Sequence, residues 1–353
     1  MTSPVTAPAD DPYRESPFLR ACRREPLNSP PVWLMRQAGR YMKEYRAIRE
    51  RVPFLTLCKS PDLVAEVTDH AARRLGVDAA ILFADLLLPA EAFGLNLAYD
   101  RGEGPTIDPP VRTAADIDAL REPDLLADLG YVFEGVRATR RALPAGMPLI
   151  GFAGAPFTLA SYLIEGGAST SYRHTKGLMY ADPGAWSALM RKIVRLTTDY
   201  LNGQIDAGAQ AVQIFDSWVG CLGPEDYRAF VLPHVRDLVA GVRPGTPVIL
   251  FGTQTTALLP MLGGSGAGVI GVDWRVDLLD AWAAVGDRAV MGNLDPVILF
   301  APRDEVVRRT RTLLDRVAGR PGHLFNLGHG ILPHTPLDNV LALIETVHAW
   351  SRS

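Results

Sequence analysis

Apolar residues in this chain gather into eight short runs, each ended by an abrupt polar or glycine-containing turn. They are 32–36 (VWLMR), 79–85 (AAILFAD), 148–154 (PLIGFAG), 210–217 (QAVQIFDS), 247–252 (PVILFG), 268–273 (GVIGVD), 288–295 (RAVMGNLD) and 323–329 (HLFNLGH). Most are nearly continuous in hydrophobic residues, as parallel strands covered on both faces are. Between them the spacing predicts helices over 61–75, 183–207, 224–241, 303–318 and 336–351, several with Pro near the first turn. Strand and helix alternating eight times predicts a single (β/α)8 barrel of the α/β class, with its active site at the C-terminal strand ends. An open doubly wound sheet is the competing arrangement. The count of eight and the lack of a GxGxxG turn after the first run weigh against it.

The length of 353 residues suits one such barrel, expected over 17–353. Residues 1–16, rich in Pro, Ala and Asp and without an apolar stretch, are expected to form a flexible N-terminal arm rather than a signal peptide. A 48% hydrophobic composition supports a large core, and a net charge of −3 gives no basic surface for nucleic acid. An anionic ligand would therefore have to be held by local arginines. Three cysteines, Cys22, Cys58 and Cys221, are widely spaced and in no CxxC pattern, which fits a reducing, cytoplasmic setting and implies neither a disulfide framework nor a Cys-rich zinc site. No apolar run approaches the roughly 20 residues of a membrane helix.

In a barrel, the polar residues just past the strands converge on one mouth. Here these are Arg36, Gln37, Arg40, Asp85, Asp216, Ser217, Asp273, Asn293, Asp295, Asn326 and His329. Arg36 and Arg40, four apart around Gly39, form a pair of guanidinium forks suited to a ligand with several acid groups. The alternative is a pair of surface salt bridges with Glu44 or Glu50. Asp85 ends an apolar strand, where a carboxylate needs a partner: either a salt bridge to the first loop, or ligand N–H groups and a developing cation. His329 sits between glycines that allow a sharp turn, with no HxH or HExxH pattern to suggest a metal. Asp295, before Pro296, is equally a helix cap. Ser217 lacks the GxSxG of a nucleophile elbow and is better suited to hydrogen bonding a ligand acid. Tyr162 either packs or points its hydroxyl at Asp85. Residues 166–177, rich in Gly, Ser and Thr and carrying Arg173 and Lys176, read as a lid or a surface loop.

The segments PVWLMRQAGRY, FADLL, GFAGAPFTLASYLIEGG, QIFDSWVG, GVDWR, GNLDP and FNLGHGILP, spread over about residues 16–350, together resemble the uroporphyrinogen decarboxylase family. The resemblance implies a (β/α)8 barrel, usually a homodimer with facing clefts. It implies removal of CO2 from the four acetates of uroporphyrinogen III to give coproporphyrinogen III, with no metal or organic cofactor. It also implies that Asp85 accepts hydrogen bonds from the pyrrole N–H groups, and that Arg36, Gln37, Arg40, Tyr162, Ser217 and His329 line the cleft. Among these, Asp85, Arg36, Tyr162 and His329 carry the chemistry. The sequence departs from the family pattern at FGTQT (251–255) and at His334.

The chemistry agrees with this residue set. Direct loss of an acetate carboxyl would leave a carbanion, so protonating the pyrrole carbon first turns the ring into the electron sink. The protein must then supply an anion, a proton donor and acid clamps. The donor is left open between Arg36, towards which the resemblance leans, and His329, whose intrinsic pKa is better matched. Two rivals remain: a corrinoid-related zinc methyltransferase of the same superfamily, which would need a His/Cys zinc set absent here, and a non-catalytic tetrapyrrole-binding protein.

Overall fold

A computed structural model describes residues 12–99 and 104–351. Residues 1–11 of the expected N-terminal arm lie outside that range. The core sheet has seven strands, all parallel and in ring order: β1 (Ala80–Ile81), β4 (Leu149–Gly154), β5 (Ala211–Asp216), β6 (Val248–Gly252), β7 (Val269–Gly271), β8 (Ala289–Met291) and β9 (His323–Leu324). Strands β2 (Asn96–Tyr99) and β3 (Pro105–Asp108) form a separate antiparallel hairpin.

The first predicted strand is present but makes no ladder. It pairs only through a parallel bridge, Val32 to Phe325. The Phe325 N–H donates to the Pro31 carbonyl at 2.8 Å, and the Asp78 N–H to the Val32 carbonyl at 2.8 Å, so the segment still joins the two edges of the sheet and closes the barrel. The reason for its brevity is local. Pro30 and Pro31 have no N–H to donate. Of the N–H groups that follow, Trp33 donates to the Phe325 carbonyl at 3.4 Å, but side chains take Val32 (Asp78 Oδ2, 2.7 Å) and Met35 (Asn326 Oδ1, 3.2 Å).

β1 is also shorter than its apolar run. After Leu82, which still donates to the Ile150 carbonyl, the chain swings away from β4. The position it vacates is filled by Gln204, whose side-chain amide accepts from the Phe152 N–H at 2.9 Å and donates to the Phe152 carbonyl at 3.0 Å. That departure is what turns Asp85 out of the sheet and into the mouth.

The helices agree closely with the apolar spacing. Pro61–Leu75 and Pro183–Ala207 match their predicted spans, the first ending on left-handed Gly76 and the second capped by Asp182. The predicted helix 224–241 is instead two helices, Pro224–Phe230 and Leu232–Gly241, separated at Val231. Pro233 explains the break, because its ring and missing N–H cannot continue the preceding helix. Segment 166–177 is a loop only as far as Tyr172; a helix, Arg173–Ala181, follows.

Inside the barrel, Phe152 packs against Phe215 at 5.6 Å, Phe215 against Phe251 at 6.1 Å, and Phe251 against His329 at 6.3 Å between ring centres. This aromatic file fills the interior and ends at the mouth.

If Asp78 is the pin that closes the barrel, Asp78→Ala should cost about 1–3 kcal/mol in urea unfolding, the penalty for leaving the buried Val32 N–H without a partner.

Candidate active site

The closing segment ends in a tight turn. The Gln37 N–H donates to the Leu34 carbonyl at 3.0 Å, and the Tyr41 hydroxyl holds the Gln37 carbonyl at 2.5 Å. Arg36 stands in this turn with φ 60°. A left-handed backbone costs an ordinary residue about 1–2 kcal/mol, and here it aims the Arg36 side chain into the mouth. Arg36 is accessible to solvent, yet the barrel walls around it and the neighbouring Arg40 hold its guanidinium below its ordinary pKa. Among the described residues neither Arg36 nor Arg40 forms an ion pair, while Glu44 turns instead to Lys43 and His70. The salt-bridge alternative for this pair therefore does not describe it. Gln37 is buried; its Oε1 faces the Leu34 N–H at 3.4 Å, and its Nε2 has no partner.

Asp85 is likewise without an ion-pair partner among the described residues. Its carboxylate accepts from the Leu87 N–H at 2.8 Å and from the Tyr99 hydroxyl, and burial still lifts it above the usual carboxylate range. Tyr99 comes from β2, and no local sequence signal pointed to it. Tyr162, on the helix Pro156–Glu165, stands where it feels both Asp85 and Arg36; burial first, then Asp85, raises its phenol to about 12. Its ring stacks on Trp218 at 3.7 Å, and Tyr172 meets the same indole edge-on at 5.4 Å. Trp218 directly follows Ser217, which is half-buried on the same turn and whose carbonyl accepts from the Thr253 hydroxyl.

His329 is held by close approach on both sides rather than by glycine backbone freedom, since neither neighbour has a positive φ. A Cβ on Gly328 would collide with the Trp274 backbone, and one on Gly330 would lie 2.5 Å from Arg36 Cδ. Burial, then Arg36 and Arg275, depress the imidazole from 6.5 to about 4.

The other strand-end residues are structural. Asp216 is buried and accepts from the Thr158 hydroxyl at 2.8 Å, and that same hydroxyl accepts from the Trp218 N–H at 3.2 Å. Asp273 binds the Gln254 N–H and Arg275. Asn293 donates to the carbonyls of Asp273 and Val276, Asn326 braces Met35 and Leu327, and Asp295 caps the turn Pro296–Phe300. Lys176, expected as a lid cation, is tied to the Cys221 carbonyl at 2.7 Å. The mouth thus assembles Arg36, Arg40, Asp85, Tyr162, Ser217 and His329. Gln37 shapes the turn from beneath.

Fold and site together define a (β/α)8-barrel enzyme with an open mouth in which positive and negative groups stand apart. The family model described as uroporphyrinogen decarboxylase (URO-D) matches residues 14–350, and the chain belongs to this family. A uroporphyrinogen decarboxylase of Sorangium cellulosum is 56% identical over 338 residues, covering 95% of this chain and 97% of that one. One from Roseiflexus sp. is 54% identical over 343 residues, covering 95% and 99%. A methyltransferase from Methanosarcina mazei shares the fold, with a TM-score of 0.80 at 20% identity over 94% of this chain and 98% of that one. Among the described residues no three His, Cys, Asp or Glu side chains are grouped to hold a metal, and no helix is long and apolar enough to cross a membrane.

The two glycines should separate under substitution. Gly328→Ala, facing backbone, should lose about 3 kcal/mol or more in urea unfolding, whereas Gly330→Ala, facing a flexible side chain, should lose about 1 kcal/mol.

Proposed function

We propose that the chain decarboxylates the four acetate side chains of uroporphyrinogen III to coproporphyrinogen III without a metal or organic cofactor. The observation that carries this is a cleft in which Asp85 and Arg36 both lie close to Tyr162 and Arg40 lies beside Arg36, none of the three ion-paired among the described residues. In each round a pyrrole carbon gains a proton and becomes cationic. The bond to the carboxyl carbon then breaks, its electron pair neutralises the ring as an exocyclic double bond, and CO2 leaves. A proton added to the exocyclic carbon gives the methyl group, and the first proton departs from the ring. The net change is one proton taken up per CO2 released.

Asp85 accepts the pyrrole N–H groups and offsets the ring cation; removing water around it strengthens both effects. Arg36 and Arg40 clamp acid groups. In this reading the donor, left open by the sequence, is Arg36. At neutral pH His329 is an uncharged imidazole, a hydrogen-bonding group rather than an acid, while Arg36 is a cation whose hold on its proton is loosened by its surroundings. Tyr162 keeps its hydroxyl proton and lies within reach of both charges. Ser217 suits hydrogen bonding to a substrate acid. A cytoplasmic homodimer with facing clefts belongs to the same reading; the exposed Val297 and Phe300, on the turn that follows β8, offer the dimer an apolar contact. The zinc methyltransferase alternative is not favoured, because the likeness to the Methanosarcina mazei methyltransferase, at 20% identity, is one of fold.

Anaerobic incubation with uroporphyrinogen and EDTA should give seven-, six-, five- and four-carboxyl products. Tight binding without products would mark a carrier, and arrest by EDTA would overturn the cofactor-free route. Because His329 titrates near 4, kcat/KM should show no inflection near its ordinary 6.5. The depressed value also means the unfolded chain takes up this proton first, so stability contributed by neutral His329 is present above 6.5 and is lost as pH falls towards 4. A kcat/KM limb near 6.5 that His329→Asn removes would contradict a neutral His329.

A further inference from the structure

The substrate of the proposed reaction carries eight carboxylates, and Arg36 and Arg40 can hold only a few. Lys176 is already tied to a carbonyl, and Arg46 donates to the carbonyls of Arg40 and Tyr41. One further guanidinium stands at the mouth in a built setting. Arg275 follows β7, which in the ring of seven strands plus the closing segment lies four places from β1, on the wall opposite Asp85. Its guanidinium lies over the Trp274 indole at 3.9 Å, and Nη1 donates to the buried Asp273 carboxylate at 2.7 Å. The side chain is 40% exposed, and its Nε and Nη2 make no hydrogen bond among the described residues. It is therefore a cation oriented in advance, with part of its fork unused.

Its place relative to the reacting region is fixed by packing. The Trp274 ring stands edge-on to His329 at 6.4 Å, and Gly328 rests on the Trp274 backbone while Gly330 rests on the Arg36 stem. Arg36 and Arg275 thus flank His329 from its two sides, and both act to keep that imidazole uncharged.

We propose that Arg275 is a further carboxylate-binding subsite of the cleft, taking an acid group at the periphery of the tetrapyrrole on the wall opposite Asp85. This rests on the tetrapyrrole reading above. Asp273 and Trp274 act as positioning residues: they hold the guanidinium flat and leave its free edge towards the cleft, so little side-chain freedom is lost when an acid binds. The group held is either an acetate, lost in the reaction, or a propionate, kept in the product.

Equilibrium binding of uroporphyrin, the oxidised octacarboxylate that is not turned over, tests the subsite apart from catalysis. Arg275→Gln should weaken binding by about tenfold or more, as loss of hydrogen bonds to a charged group predicts, and should flatten the dependence on salt. Arg275→Lys should recover part of the affinity and most of the salt dependence. Coproporphyrin, with four carboxylates, distinguishes the sources: a propionate partner makes its binding fall equally, and an acetate partner leaves it unchanged. Uroporphyrin affinity within about twofold of the parent in Arg275→Gln, or a loss in Arg275→Lys as large and as salt-insensitive as in Arg275→Gln, would overturn the subsite. A parent chain that binds uroporphyrin but releases no CO2 from uroporphyrinogen, with the Arg275 effect intact, would support the subsite and refute the reaction.

Discussion

The mouth depends on a separation of charge that the barrel enforces. Asp85 and the pair Arg36 and Arg40 lie in one cleft, yet no ion pair joins them among the described residues. Left to a flexible chain, a carboxylate and a guanidinium in a partly dry cleft would collapse together, because their attraction grows as water is removed. Here Tyr162 lies close to both, pinned against Trp218, and each charge follows a different strand. A ligand that brings N–H donors to one side and acids to the other satisfies both at once. Such a cleft binds through what the protein leaves unsatisfied.

Rigidity for that arrangement comes from ordinary devices placed close to the site. The Arg36 backbone is held left-handed by a turn whose carbonyl is gripped by Tyr41. Trp218 owes its position to Thr158, which is itself fixed by Asp216 beneath it. Burial raises Asp216 to about 7, so below that pH this carboxyl supports the aromatic wall as a neutral group. The result agrees with the cofactor-free reading, in which preorganised charge rather than a bound group stabilises the ring cation.

Much of this was legible in the apolar pattern, because a parallel strand covered on both faces announces its end by an abrupt change to polar residues. That placed Arg36, Asp85, Ser217 and His329 at the mouth. What the pattern missed depends on partners distant along the chain. The first strand keeps only one bridge because the N–H groups of Val32 and Met35 are taken by Asp78, 46 residues on from Val32, and by Asn326, 291 residues on from Met35. Tyr99 reaches Asp85 only through the hairpin, and the glycines beside His329 serve the approach of Trp274 and Arg36 rather than a turn. The split of the helix over 224–241, by contrast, was visible in Pro233. Strand-end composition alone could not sort Asp216, Asp273, Asn293 and Asn326, which brace the frame, from Asp85, which faces the cleft; hydrogen-bond partners do.

The most direct test of the divided mouth is the single-turnover rate of Asp85→Asn at saturating uroporphyrinogen, with folding checked by circular dichroism. The amide keeps the size and a hydrogen-bond acceptor but removes the negative charge. Decarboxylation slowed by about a hundredfold or more, in a folded protein that still binds substrate, is the predicted result. A rate within a few-fold of the parent would contradict the account, because the ring cation would then need no anion beneath it.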